Sequence, residues 1–129
     1  MTVTVLLATM AMQLMPVPSS PRWRPVGRSP QGEFSIDPNS VVRQGNRVRV
    51  FVRLRIANPQ AGVPALGVMR YVYDCRANTI RSEAADIYDV RGRFVGTIQT
   101  PANQLRDVPI AAASPNAQVR AYLCAANRR

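Results

Sequence analysis

Arg47–Ile56 reads RVRVFVRLRI. Val48, Val50, Val52, Leu54 and Ile56 share one parity, while Arg47, Arg49, Arg53 and Arg55 share the other, interrupted only by Phe51. A period of two is that of a strand whose side chains alternate between two faces. A helix would scatter the same arginines around its circumference. The stretch therefore predicts an antiparallel sheet with one packed face and one solvated face, the wet side carrying a cationic row.

Turn and strand signals continue on both sides of this strand. Trp23–Val26 reads as a short edge strand, because Pro25 removes a ladder donor. Arg28–Gly32 reads as a turn and Glu33–Ile36 as the next strand. Asp37-Pro38-Asn39-Ser40 is a tight turn, with proline pre-set for its second position and Asp37 able to accept from the backbone ahead. Val41–Arg43 then meets Gln44-Gly45-Asn46, a hairpin signal. Beyond Ile56, Asn58–Gly67 is a loop rich in glycine and proline. Val68–Cys75 alternates again, with Met69, Tyr71, Tyr73 and Cys75 on one face. Thr79–Tyr88 and Phe94–Thr100 follow, separated by a turn at Asp89–Arg93. Strands arriving about every ten residues with turn chemistry between them predict a meander of about six strands.

The C-terminus changes period. Ser114 is a capping residue and Pro115 suits a first helical position. Ala117, Ala121, Tyr122, Cys124 and Ala125 then follow helical spacing. The expected fold is thus α+β and mainly β, with an antiparallel meander and one C-terminal helix packed on one face. At 129 residues, the chain suits a single domain. That domain is expected over residues 21–129.

No charged side chain precedes Arg22. Thr2–Met15 is mostly apolar and is followed by Pro16-Val17-Pro18-Ser19-Ser20. The stretch is too short to span a bilayer as a helix, and it matches the apolar region of a secretory signal over residues 1–20. The competing reading is an N-terminal strand, since Val3, Val5 and Leu7 alternate. The mature protein is expected to be exported, to the periplasm or the cell surface, without a transmembrane helix. Cys75 and Cys124 are the only cysteines. An even count in an exported chain suggests a bridge, the alternative being two separate buried thiols.

The residue inventory removes most catalytic devices. The chain has no histidine, and all 17 basic residues are arginine. The usual neutral-pH base and any lysine nucleophile are therefore absent. Among 17 arginines, the seven acidic residues are better read as ion-pair partners than as a paired-carboxylate centre. Asp89–Arg93 lacks the carboxylate density of a calcium loop. No enzyme activity, metal or cofactor is expected. The net charge of +10 favours anionic partners such as sulfated glycans or lipid headgroups. Residues two apart on a strand are about 6.6 Å apart, near a phosphate or sulfate repeat. Arg47, Arg49, Arg53 and Arg55 are accordingly the candidate polyanion site. The plainer reading is a solvated face on which Asp74 or Asp86 of adjacent strands pairs some of the arginines. Sequence-specific nucleic-acid recognition is not expected.

The ordered motifs carry a resemblance. They are Trp23; Phe34-Ser35-Ile36-Asp37-Pro38-Asn39-Ser40; Gly45-Asn46-Arg47-Val48-Arg49-Val50-Phe51-Val52; Tyr73-Asp74-Cys75; Tyr88-Asp89 with Gly92; and Leu123-Cys124. The set resembles the surface-adhesin protein E family of bacterial exported proteins over essentially Trp23–Cys124. The resemblance implies an antiparallel sheet carrying a C-terminal helix, and a Cys75–Cys124 pairing. It also implies binding to extracellular matrix or serum proteins, as the family's namesake does. The other reading is a periplasmic structural or envelope-associated domain with no host ligand.

Overall fold

A computed structural model describes residues 22–126. The signal segment expected over residues 1–20 lies outside the described residues. The strands are β1 (Arg24–Ser29), β2 (Gly32–Ile36), β3 (Val42–Gln44), β4 (Arg47–Ile56), β5 (Leu66–Asp74), β6 (Thr79–Tyr88), β7 (Phe94–Gln99) and β8 (Val108–Pro109). Among the described residues one α-helix, α1, spans Pro115–Ala126. The sheet is antiparallel throughout and runs β1-β2-β4-β5-β6-β7, curled as a half-barrel. The fold is the mainly-β arrangement expected from the alternation in β4.

β4 organises the sheet because it is long enough to serve two partners on one edge. β2 pairs with it from Val52 to Ile56, and β3 pairs with it from Arg47 to Arg49. The connector between those partners completes the edge. The Asp37 N–H donates to the Phe51 carbonyl at 3.3 Å, and the Phe51 N–H donates to Ser40 Oγ at 2.9 Å. The backbone of Phe51 is thus satisfied on the edge where it falls between β2 and β3. Asp37 Oδ1 also accepts from the Asn39 N–H at 3.0 Å, the turn chemistry expected there.

The valine face of β4 builds the core. Val48, Val50 and Val52 pack with Ile36, Met69, Tyr73 and Ile80, and α1 covers them with Val119 and Leu123. Burying each such side chain is worth about 1.5–3 kcal/mol. Ser114 caps the helix, its Oγ accepting from the Ala117 N–H at 3.1 Å. The Tyr73 hydroxyl donates to Asn116 Oδ1 at 3.0 Å, which gives a fully buried phenol its partner. Burial, with Tyr71 adding to it, holds that phenol well above its ordinary pKa. Cys75, just past β5, is bridged to Cys124 in the last turn of α1, with Cα atoms 5.6 Å apart. The Arg120 guanidinium donates to the Cys75 carbonyl at 2.6 Å beside the bridge.

Two local expectations need correcting. The first strand runs to Ser29, not Val26, because a bulge between Pro25 and Gly27 absorbs a residue and lets pairing continue to Ser29–Gly32. The turn shrinks to Pro30 and Gln31. The antiparallel meander stands, with β3 in the hairpin expected at Val41–Arg43, and the strand not expected is β8, which pairs off the main path. β8 contains Pro109 and makes only two pairings with β6, too short to leave an alternating pattern.

Candidate anion-binding face

The face of the sheet opposite α1 carries the candidate arginines. Register places Arg47 beside Asp74, Arg49 beside Val72, Phe51 beside Arg70, Arg53 beside Val68 and Arg55 beside Leu66. The four arginines therefore stand in one row. They do not stand in one environment.

Arg47 is held by carboxylates. Its two terminal nitrogens donate to Asp107 at 3.0 and 3.1 Å, and Asp74 lies 3.5 Å away. Arg81 from β6 reaches the same Asp107 at 2.9 Å. Arg49 makes a two-pronged contact with Glu83 at 3.0 and 3.1 Å. Such forked contacts suit guanidinium and not ammonium, so lysine would not reproduce them. Arg47, Arg49, Arg81 and Glu83 surround a polar hollow of about 80 Å³ floored by Val72.

The Arg53 guanidinium lies over Trp23, 5.1 Å from the ring centroid. Burial lowers the pKa of Arg53, and the nearby Arg55 lowers it further. Its Nε is among the buried polar atoms without a protein partner, as is Oγ of Ser35, its cross-strand neighbour. Arg55 is exposed and joins no ion pair among the described residues. It borders a wider, mainly apolar cleft of about 460 Å³ lined by Ile56, Pro59, Leu66, Tyr88 and Val90.

Phe51 departs from the expectation of a fully wet face. It is only 8% exposed, and Val68, Val72 and Ala84 on the same face are also buried. The Arg70 guanidinium lies over the Phe51 ring, 5.7 Å from its centroid. Long arginine stems cover apolar ground while their charged ends stay in water. The face is thus an apolar strip roofed by arginines.

Asp74 pairs with Arg47, as the plainer reading of the stripe anticipates. Among the described residues Asp86 pairs with no arginine and instead accepts from Thr97 Oγ1 at 2.6 Å. Sequence reasoning did not assign Glu83, Arg81, Asp107 or Trp23 to this face. Glu83 sits where the β5–β6 register shifts, next to the Arg70–Ala84 pair. Simple alternation misplaces such a residue. Asp107 lies in a connection, where no periodicity marks a facing direction.

The Arg47 hydrogen bond is the main cause that holds the Asp107 carboxyl below its ordinary pKa, and Arg81 adds to it. A depressed folded-state pKa contributes stability above the unfolded-state value of about 3.9, and that contribution disappears as pH falls through the folded value. Asp107→Asn is expected to cost about 1 kcal/mol or less at pH 7, as for other half-exposed pairs. In urea titrations the difference from wild type should shrink as pH falls through and below the ordinary carboxylate range. A difference that stays constant with pH would assign the cost to packing and not to charge.

Among the described residues, no group of three or more His, Cys, Asp or Glu side chains converges as metal ligands would. No helix among them is long and apolar enough to cross a membrane. A disulfide-closed antiparallel sheet, covered on one face by a single helix and lined with ion-paired arginines on the other, has the build of a small exported β domain. The chain matches the surface-adhesin protein E family over residues 23–125 and belongs to that family. No curated protein matches it.

Proposed function

We propose that this protein is an exported, non-enzymatic, adhesin-like binding domain, and that its arginine face contacts anionic groups on extracellular partners. The observation carrying the first part is the family match over residues 23–125, which takes in every strand and nearly all of α1. The partners of this reading are matrix or serum proteins bearing sulfated or acidic segments, or anionic glycan or lipid. Arg47, Arg49, Arg53 and Arg55 remain the proposed contact residues, with Arg81 added by its place beside the hollow. Asp107 and Glu83 fix the positions of Arg47 and Arg49 by forked contacts, and an incoming anion would compete with those carboxylates for the same donors. Arg55 has no such partner among the described residues.

Heparin affinity chromatography tests the site. Each neutralised anion releases counterions, so retention should fall steeply with salt. Net charge alone gives some retention, so the comparison is between variants of equal charge. Arg49→Ser with Arg55→Ser is expected to elute at distinctly lower salt than Arg43→Ser with Arg76→Ser. Arg43 pairs with Val48 on the opposite face of the sheet, and Arg76 lies in the turn after β5. Equal elution of the two variants would reduce the stripe to a solvated face.

A further inference from the structure

The two edges of the sheet are finished differently. β1 is closed to further pairing. Pro25 offers no N–H, and the bulge beside it bends the strand. The side-chain amide of Gln118 on α1 then acts as a false strand. It accepts from the Arg28 N–H at 3.2 Å and donates to the Arg28 carbonyl at 3.2 Å. Gly27 lets the helix come this close, since a Cβ there would lie 3.0 Å from the Pro115 carbonyl oxygen.

β7 lacks the proline and the side-chain cover, and its one irregularity, a bulge at Val95, leaves Gly96–Gln99 in regular register with β6. Phe94–Gln99 contains no proline and no charge. Among the described residues it pairs only with β6, while β8 pairs with a different part of β6 at Thr79 and Ile80. The Thr100 N–H donates to the Glu83 carbonyl at 3.0 Å. By the alternation of an antiparallel ladder, residues 98 and 96 turn their backbone groups toward β6, and Thr97 and Gln99 turn theirs outward. Among the described residues, three of the eight large exposed apolar side chains lie on this short strand: Phe94 at 58%, Val95 at 63% and Ile98 at 65% exposed. Natural sheets normally guard such an edge with lysine, proline or a cover.

We infer that β7 is a docking edge on which an extended segment of a partner protein adds as a further strand, with apolar residues at alternating positions and acidic residues at its flanks. The inference rests on the binding-domain reading and names the kind of partner that domain takes. Backbone hydrogen bonds to the outward groups of Thr97 and Gln99 supply affinity, and Val95 and Ile98 supply apolar contacts. Charge selects the occupant. Arg91 and Arg93 precede the strand and Arg106 follows it, on a chain of net charge +10. Arg91 and Arg106 join no ion pair among the described residues. A second copy would bring the same positive charge to the contact, whereas an acidic-flanked segment is attracted to it.

The test uses a labelled probe peptide, Asp-Glu-Val-Thr-Val-Thr-Val-Glu-Asp, blocked at both ends, and reads its fluorescence anisotropy on titration with the protein. Saturable binding is expected, and a version N-methylated at every valine and threonine should not bind. Gln99→Pro removes one outward N–H and leaves the inward ladder and the Asp86–Thr97 bond in place. It should weaken binding by about tenfold or more, the scale of one or two backbone hydrogen bonds. Val95→Lys should weaken it as well, by placing a guard charge on the edge. Unchanged circular dichroism and thermal midpoints establish that both variants fold. Arg49→Ser with Arg55→Ser should leave peptide binding intact while lowering heparin retention, so the two sites fail independently. Three results would overturn the inference: no saturable binding, equal binding by Gln99→Pro and wild type, or equal binding by the N-methylated peptide. A concentration-dependent dimer in sedimentation that Gln99→Pro abolishes would overturn the partner and assign the edge to a second copy.

Discussion

Replacing Cys75 and Cys124 together with alanine is expected to lower the unfolding free energy by about 4 kcal/mol. The bridge spans a sequence separation of 49. In the chain-entropy account, a loop of that size removes a large share of the conformations open to the unfolded chain. The bridge also anchors the last turn of α1, whose Val119 and Leu123 cover the valine face of β4. A domain of this size has only about 5–15 kcal/mol of stability in total, so the double variant should be marginal at 37 °C. Urea unfolding of the oxidised protein, the reduced protein and the double variant checks this. The reduced protein and the variant should unfold at similar, much lower urea. A double variant within about 1 kcal/mol of the oxidised protein would show that helix packing, not the bridge, holds the fold together.

Gly32→Ala is the second large effect, at about 3 kcal/mol. Gly32 is buried at the start of β2, opposite Ile56. A Cβ built there would lie 2.2 Å from the Arg55 carbonyl oxygen and 3.2 Å from the Ile56 Cα. Those neighbours are backbone, so no side chain can swing aside. Either β2 lifts from β4 and loses ladder bonds, or the end of β4 bends away. Gly45→Ala is the matched control. Gly45 has a positive φ of 59°, but a Cβ there meets nothing within 4 Å. Its cost is conformational, about 1–2 kcal/mol for a Cβ in the left-handed region. Thermal unfolding of both variants separates steric from conformational cost, and similar midpoints would contradict the close approach at Gly32.

How far these features can be read from the sequence depends on the range of the interaction that creates them. The alternation in Arg47–Ile56 is local, and it led directly to the strand, the valine core and the arginine row. Ser114 and Pro115 mark the start of the helix for the same reason, because capping acts within one turn. Phe51 is where local reading fails. Its parity assigns it to water, but register sets it beside Arg70, whose guanidinium covers the ring. That pairing depends on how β4 slides against β5, which neither strand encodes alone. Asp107 is further out of reach, since it arrives at Arg47 and Arg81 from a connection. Trp23 is readable as a family landmark, yet its role as a platform for Arg53 emerges only once β2 lies between them. The candidate face was therefore legible as a row of charges. Its division into ion-paired, stacked and free members was not.

The covalent map of the molecule bears on its resistance to proteolysis. The bridge makes a ring of residues 75 to 124, enclosing β6, β7, β8 and most of α1. The exposed turn with Arg91 and Arg93 lies inside that ring. A trypsin-like protease that cuts there opens the ring without releasing a piece, and the nicked chain keeps its open edge strand tethered to the rest. A cut after the exposed Arg43 falls outside the ring. It detaches β1, β2 and the first two residues of β3 from the covalent chain, leaving them held by hydrogen bonds and packing alone. Proteolytic damage is thus contained in the half that carries the exposed apolar strand and is consequential in the half that carries the guarded edge.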